Sequence, residues 1–503
     1  MPVTVKQLSE KHPDWSELRD FWTQLDLLYR GGKAIVDNAA LFLERRPAEA
    51  QRVYDARCAG ATYQNILGAA LGWYESKLFS AEPQFYARRG DAAVQDEFLL
   101  AFLKNCDRRG KPFAAAMAEW FSLAVRDGSA FVLLDLPATP LAQTFRAQKE
   151  MGALDPYLVT FRADQVTNWE TDAQGNFEWV VISTAFWRGG FGTARQQMRR
   201  WHYFDRTEYR IYEAAADAAD GEDTRTAAEV AAGRHALADQ GRVPIHRIAV
   251  PAHLWLGYRV YPQARDHFNA DNGLKWALLM ANLAVPVVTG DFAEDPKISE
   301  TGYIKLEANG TFGWSEPSGS SFAHAAARVA SLREEIYRQM YLQAQGRDSS
   351  AQASANSGYS KEMDMAPSRD VLNGYGDLLR NAAGGILADA LAVRGKRDIA
   401  VSIRGLHFDE GDEMAEIGTA QAALELDVPS GTFERTVLKR IARQYVGKAD
   451  PDTLTAIDAE IDASPARAAR EAAQRDRRAA RFRDGLAAEL EDNGGAGAAD
   501  EGE

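Results

Sequence analysis

Apolar residues recur at helical spacing through much of the chain, interrupted by shorter alternating runs bounded by Gly, Pro, Asn and Ser. The most organised stretch is 262–345. Its first part, YPQARDHFNADNGLKWALLMANLAVPVV, places Trp276, Leu279, Met280 and Leu283 three and four apart, the period of a helix with one buried face. Pro286 should end that helix, because an interior proline removes a hydrogen bond and clashes with the preceding turn. The next segment, VVTGDFAEDPKISETGYIKLEANGTFGWSEPSGS, breaks short β-prone runs with turn residues. From Ser321 to Gln345 the helical period returns, with Val329, Leu332, Ile336, Met340 and Leu342 near one face. The pattern predicts a helix, a small acidic β-rich insert and a returning helix.

Upstream, Trp15, Leu18, Trp22, Leu25 and Leu28 predict a helix stopped by Gly31 and Gly32. A longer amphipathic pattern spans 47–80, and a further helix is expected over 93–105. PFAAAMAEWFSLAVRDGSAFVLLDLPATP (112–140) predicts a helix ending at Asp127–Gly128 and a buried strand over Ala130–Leu136. Strand-like runs follow at 155–182, with a hairpin turn at Gln174-Gly175-Asn176, and at 199–213. Residues 214–240 are rich in Ala, Asp and Glu and read as a solvated excursion. VPIHRIAVPAHLW (243–255) returns to a sheet. Residues 345–370 are too polar and unpatterned for a core. A helix is expected over 368–393, with Gly374, Gly376, Gly384 and Gly385 suggesting a bend, since each glycine weakens a helix by about 1 kcal/mol. Then come an alternating strand with an acidic helix start (397–418), a helical segment near 428–447, and a helix from Ser464–Pro465 to about 492. The tail 493–503 has no pattern.

Composition narrows the function. A chain of 503 residues can hold about two to four domains with a large core. A net charge of −14 disfavours an outer surface that grips DNA non-specifically, because phosphate binding needs positive patches. With only Cys58 and Cys106, neither a disulfide framework nor a cysteine zinc site is implied, and a reducing compartment is expected. The N-terminal segment is polar from Lys6 to Asp20, unlike a signal peptide. The longest apolar run, 277–288, is too short to span a bilayer, so a soluble cytoplasmic protein is expected. There is no Walker A pattern, H-E-x-x-H, C-x-x-C or G-x-S-x-G. Gly189, Gly190 and Gly192 lack dinucleotide-binding spacing and read as a turn. His246, His253 and His267 are scattered singly. No active site, metal or cofactor is expected. Local charge is more telling: Asp291, Glu294, Asp295, Glu300, Glu307 and Glu316 make the insert acidic, whereas Arg467, Arg470, Arg475, Arg477, Arg478, Arg481 and Arg483 give the last helix seven arginines against three acids between Ser464 and Asp484. That basic helix is either a solvated face or a contact for DNA or an acidic partner.

In their order, the RDGSAFVLLDLP turn, the DPYLVTF…NW strands ending at Trp169, and the helix–insert–helix with its polar sequel resemble tailed-phage portal proteins. The branch in question was long labelled only as a domain of unknown function. Asp155 stands where that branch has Arg, while Pro156 and Tyr157 match. His267, Ala270, Asp271 and Asn272 fit the family's approach to its stem only approximately. The resemblance runs from about residue 12 to 450. It implies an α+β portal fold: N-terminal helices and wing (1–261), stem helices (262–285 and 321–345) around a clip (286–320), a tunnel loop (346–366), a long helix with the rest of the wing (367–450), and a helical crown-like region (451–492).

The resemblance also implies a ring, typically of twelve copies, at one capsid vertex. Double-stranded DNA would be driven through it by the terminase large subunit, and a head-tail adaptor, the major capsid protein and scaffold would be partners, with no membrane. The protein would assemble in the host cytoplasm and end in the virion. Arg347 and Lys361 of the tunnel loop would face the channel and the clip acids would face a partner. Trp15, Trp22 and Trp73 exceed what one core needs, which suggests subunit interfaces. The competing readings are another ring-forming head-completion or scaffolding protein, such as an adaptor, and a soluble enzyme without a recognisable motif.

Overall fold

A computed structural model describes residues 3–90, 92–137, 154–216, 225–281, 285–289, 310–315, 320–342, 358–406, 422, 430–446 and 451–463. The chain divides into two compact units, Met1–Phe408 and Asp409–Glu503. The first is α+β, with helices packed together at one part of the chain and antiparallel sheets formed by another.

Helices α1 (Val5–Ser9), α2 (Pro13–Arg30), α3 (Gly32–Asp37), α4 (Gln51–Ala59), α5 (Ile66–Leu78), α6 (Glu97–Lys104) and α7 (Phe113–Asp127) precede β3 and the strands that follow it. Helix α2 is set by Pro13 in its first turn and closed by Gly31 at φ +60°, where a glycine carries the left-handed turn without strain. The amphipathic stretch expected over 47–80 is two helices, separated by the segment carrying Gly60, at which α4 ends. Leu25, Leu28, Leu67, Tyr74, Met117 and Trp120 are fully buried in one continuous core. Each such side chain contributes about 1.5–3 kcal/mol by leaving water. Trp15 and Trp22 are also buried, their indoles donating to the carbonyls of Asp164 and Asp127 at 2.9 and 2.8 Å. Those bonds anchor both tryptophans within their own chain.

Strand β3 (Ser129–Asp135) is buried on both faces between β10 (Ile245–Ala249) and β4 (Tyr157–Arg162), as its unbroken apolar run requires. The DPYLVTF…NW segment divides at a short 3-10 turn, Ala163–Gln165. Strand β4 pairs with β3, whereas β5 (Val166–Thr171) opens a second sheet, ordered β5, β6 (Phe177–Arg188), β7 (Gln196–Asp205), β8 (Glu208–Ala215), β9 (Ala228–Arg234). The β5–β6 hairpin turns where expected, with Gly175 at φ +84° and Asp172 Oδ1 accepting from the amides of Gln174 and Asn176. Residues 228–234, expected as surface excursion, form the edge strand β9. Their small alternating residues pair with β8 while most remain exposed.

Helix α8 (Leu256–Ala281) runs through Pro262, which lacks the N–H that would bond the Tyr258 carbonyl, and ends before Pro286. Pro286 lies in β11 (Val285–Thr289), paired antiparallel with β12 (Thr311–Ser315), while the rest of the insert predicted between the two helices lies outside the described residues. Helix α9 (Ser320–Gln339) returns against α8. Arg328 reaches Asp266 at 3.2 Å and Arg259 reaches Tyr341 Oη at 2.9 Å, so higher numbers on one helix meet lower ones on the other, an antiparallel hairpin. The buried face of α8 includes Leu256, Val260, Ala264 and Phe268; of the residues expected to be buried, Trp276 is half-buried and Leu279 exposed, while the Met280 side chain and Leu283 lie outside the described residues. Leu278 and Leu279 are 41% and 52% exposed.

Helix α10 (Gly358–Val393) is one 36-residue helix containing Pro367. It therefore begins inside the span expected to be loop, and the four glycines do not interrupt it. Two of them serve packing. A Cβ on Gly376 would lie 1.8 Å from the Leu406 carbonyl oxygen, just past β13 (Ile399–Arg404), and one on Gly374 would lie 3.1 Å from Leu254 Cδ1. Strand β13 pairs with β1 (Gln84–Arg89), which pairs with β2 (Ala92–Ala93). In the second unit, α11 (Gly431–Val446) packs against α12 (Pro451–Ala463), with Lys439 Nζ 2.7 Å from Asp462 Oδ2. The glycines give a direct test. Gly376→Ala should destabilise the fold by about 1–3 kcal/mol through overpacking. Gly385→Ala, which meets nothing within 4 Å, should stabilise by about 0.5–1 kcal/mol through helix propensity. Denaturant midpoints of the two variants should move in opposite directions.

Candidate functional site

Few of the residues singled out in the sequence can be placed. Asp291, Glu294, Asp295, Glu300, Glu307, Glu316, Arg347 and the seven arginines from Arg467 to Arg483 lie outside the described residues. Lys361 lies in the first turns of α10, so it stands on a helix and not in a loop. The strands β11 and β12 close the acidic segment at its neck, pairing Thr289 with Thr311.

What the structure does describe is the mounting of the helical hairpin. Its base is buried: Leu332, Ile336, Met340 and Leu342 join the core with Phe268 and Val260. Tyr74 donates to the Met340 carbonyl, Tyr375 to the Leu254 carbonyl, and Ser368 to the Tyr341 carbonyl. The rings of Tyr74 and Tyr375 meet edge to face at 6.0 Å. Asn272 ties α8 to the loop before α5, accepting from the Thr62 amide at 2.9 Å and donating to its carbonyl at 2.8 Å. Beyond Asn272, Lys275 Nζ still donates to the Gly60 carbonyl at 2.7 Å. On α9, Ala323, Ala326, Ala327 and Ala330 are exposed, and so are Leu278 and Leu279 near the end of α8.

A charge network at the end of α7 holds this base in place. Arg126 binds Asp127 through two parallel bonds of 2.8 and 3.0 Å and reaches Asp26 of α2 at 3.1 Å. Arg162 of β4 lies 3.3 Å from Asp127 and 3.5 Å from Asp26, and Arg30 closes on Asp26 at 2.7 Å. Asp26, Arg126 and Asp127 are 6%, 7% and 1% exposed. Burial opposes charge on Arg126, but the bonds to Asp127 and the field of Asp26 outweigh it and hold its pKa above the ordinary value. Gly128 follows at φ +83°, and a Cβ there would fall 2.8 Å from the Trp255 indole, whose Nε1 donates to the Arg126 carbonyl at 3.0 Å. The sequence reading placed the turn but missed the network. Its signal was present as Arg-Asp between two apolar runs, AEWFSLAV and SAFVLL.

Beside the network opens a cleft of about 310 Å³ walled by Trp22, Phe131, Trp169, Trp255 and Leu18, with Asp14, Glu17 and Arg247 at its rim. The His12 imidazole stacks on Trp169 at 4.0 Å, fixing the indole plane. Elsewhere the ionisable groups are set for packing. Burial raises the Cys106 thiol to about 12 and lowers His202 to about 4, so at neutral pH one is a thiol and the other a neutral imidazole. His267 is buried in α8 and its pKa is lowered by desolvation. His246 stands 3.3 Å from Asp389, which Arg242 also meets at 2.9 Å, joining β10 to α10. Among the described residues, no group of three or more His, Cys, Asp or Glu could hold a metal ion. No helix among them is long and apolar enough to cross a membrane.

No family model matches the sequence, and no curated protein matches it. Among solved structures, the chain is similar to one in the neck of an empty GTA particle computed with C6 symmetry. The identity is 12% and the TM-score 0.39, over 76% of this chain and 90% of that one. It is also similar to a chain in the virion of a native gene transfer agent (GTA) particle, at 10% identity and a TM-score of 0.35, over 78% of this chain and 94% of that one.

The network makes a graded prediction. Arg126→Met leaves two buried carboxylates short of a partner and should cost about 3–5 kcal/mol. Arg30→Met removes only the solvent-facing arginine and should cost under about 1 kcal/mol. Equilibrium unfolding in urea measures both, and equal effects would show that the network is not the anchor.

Proposed function

We infer that the chain is a portal protein, the head-to-tail connector of a tailed-phage-like particle. In this reading it forms a ring of about twelve copies, the number that the portal resemblance implies, closed by head-to-tail contacts about one axis. The observation that carries the reading is the antiparallel helical hairpin. It is clamped into the core at its base, bears the paired strands β11 and β12 at its far end, and exposes Leu278 and Leu279 near the end of α8. A hairpin exposing Leu278, Leu279 and a run of alanines gains burial only when other helices pack beside it, and alanines permit close approach. The order of sequence features that resembles the portal family agrees with this arrangement.

The functional roles follow from the reading. The acidic segment between β11 and β12 would face the terminase or the tail adaptor. Arg347 and Lys361 would repeat around the channel as sparse positive points, touching DNA phosphates without regard to sequence. A largely acidic ring would not retain a polyanion, because retention depends on counterion release to basic groups. The reading contains no catalytic step. A different ring-forming virion protein would share the hairpin but not the channel contacts.

Native mass spectrometry of the purified chain should find a closed ring, and Leu278→Glu with Leu279→Glu should shift it to monomers while leaving circular dichroism unchanged. A wild-type chain that stays monomeric at high concentration would overturn the assignment. Particles carrying Arg347→Ala and Lys361→Ala should assemble normally but package or retain less DNA. Truncation after Ala463 tests whether the basic segment 467–483 contributes instead. Deleting 293–310 should leave the first unit folded and abolish binding to the terminase or adaptor.

A further inference from the structure

The β6–β7 hairpin carries the most exposed aromatic side chains of the described residues. Trp187 is 63% exposed and Phe191, at the turn, fully so. Past the Val166–Ile182 pair, β5 no longer accompanies β6, and on the other side the chain of β8 follows β7 as far as the Ala216 amide, which donates to the Gln197 carbonyl at 2.9 Å. Among the described residues, the end of the hairpin from Arg188 to Gln196 therefore projects beyond its sheet. It is braced where it leaves: Arg188 and Arg200 both bind Glu213, 4% exposed, and both lie over the Phe186 ring, at 5.5 and 4.6 Å. Those bonds hold the Glu213 carboxyl below its ordinary pKa although burial opposes them, so the brace stays charged at neutral pH. A rigid projection tipped with bare aromatics loses little conformational freedom on docking. Between 186 and 200 it carries four arginines and no acid, and Arg195 beside the turn is exposed.

We propose that the Phe191 tip of one copy docks into the Trp22–Trp169–Trp255 cleft of the next copy, a contact that rests on the ring reading above. The cleft matches the tip in chemistry. Its walls are aromatic, and while Asp14 at its rim faces Arg247, the exposed Glu17 carboxylate is where Arg195 would find a partner. An aromatic side chain buries about 150–250 Å² and gains further from edge-to-face contacts with indoles, and buried aromatic anchors dominate interface energies. The occupant cannot be the chain's own tip. Trp169 pairs with Val180, and eight residues of β6 separate Val180 from Arg188, so the tip stands about 27 Å along the strand from that part of the cleft at ~3.4 Å per residue. Tip and cleft are different surfaces of one chain, so each copy offers one to each neighbour, the head-to-tail geometry of a ring.

The test is a full-length chain carrying Phe191→Cys and Leu18→Cys, oxidised after assembly. A ladder of reducible oligomers is expected, absent from either single variant. Arg195→Glu should weaken self-association at least tenfold in sedimentation, and adding Glu17→Arg should restore it. Rings that form without a ladder and without the charge-swap rescue would overturn the contact while leaving the ring reading intact. A wild-type chain that never oligomerises would overturn both. Sedimentation with phosphatidylserine vesicles gives the remaining arm: binding lost on Phe191→Asp while assembly is unchanged would assign the tip to a lipid surface and overturn the proposal.

Discussion

The buried ion network at the end of α7 is the constraint on which the first unit's geometry depends. Charges that far from water are tolerated only when each is matched, so Asp26, Arg126, Asp127 and Arg162 must all arrive together. They come from α2, the last turn of α7 and β4, and their meeting fixes the angle at which the helices hand the chain to the sheets. Such a network adds less net stability than an apolar core of equal volume would, but it rejects misplacements, because a shifted register strands a bare charge. The left-handed turn at Gly128, pressed against Trp255, then carries the same constraint to the start of α8. The orientation of the helical hairpin is thus decided some 25 residues before its exposed outer half begins.

Local order was legible wherever one principle dominated. The turn at Asp127–Gly128 showed because a glycine separates a helix-period run from a continuous apolar one, and α2 showed because its tryptophans and leucines keep the period without a break. The strand run of 155–182 was read correctly as extended, but not as two sheets, since periodicity carries no pairing information and Ala163–Gln165 contains no glycine or proline. The excursion at 214–240 misled for the opposite reason. The small residues of β9 look like linker, yet an edge strand needs only backbone bonds.

The hairpin shows a deeper limit. Its apolar period was read correctly, but the exposure of Leu279 was not, because that residue would look the same whether it met its own chain or another. The tip was harder still. Gly189, Gly190 and Gly192 read as a plain turn, and the phenylalanine between them drew no notice, since burial is what usually makes an aromatic informative. The charge network was hidden because Arg-Asp in sequence looks like a pair bound for solvent. Only the walls around it, Tyr29 and two indoles, make those charges expensive and therefore specific.

The necks of two segments have one more consequence. Residues 290–310 leave and rejoin through paired β11 and β12, and residues 343–357 leave past Tyr341, whose carbonyl is held by Ser368. Each segment is held where it departs by residues that belong to the scaffold and not to the segment. Mutation can lengthen, shorten or recharge either segment without moving the scaffold. Those two stretches are where a lineage could adapt to new partners fastest, while the residues that pin them stay fixed.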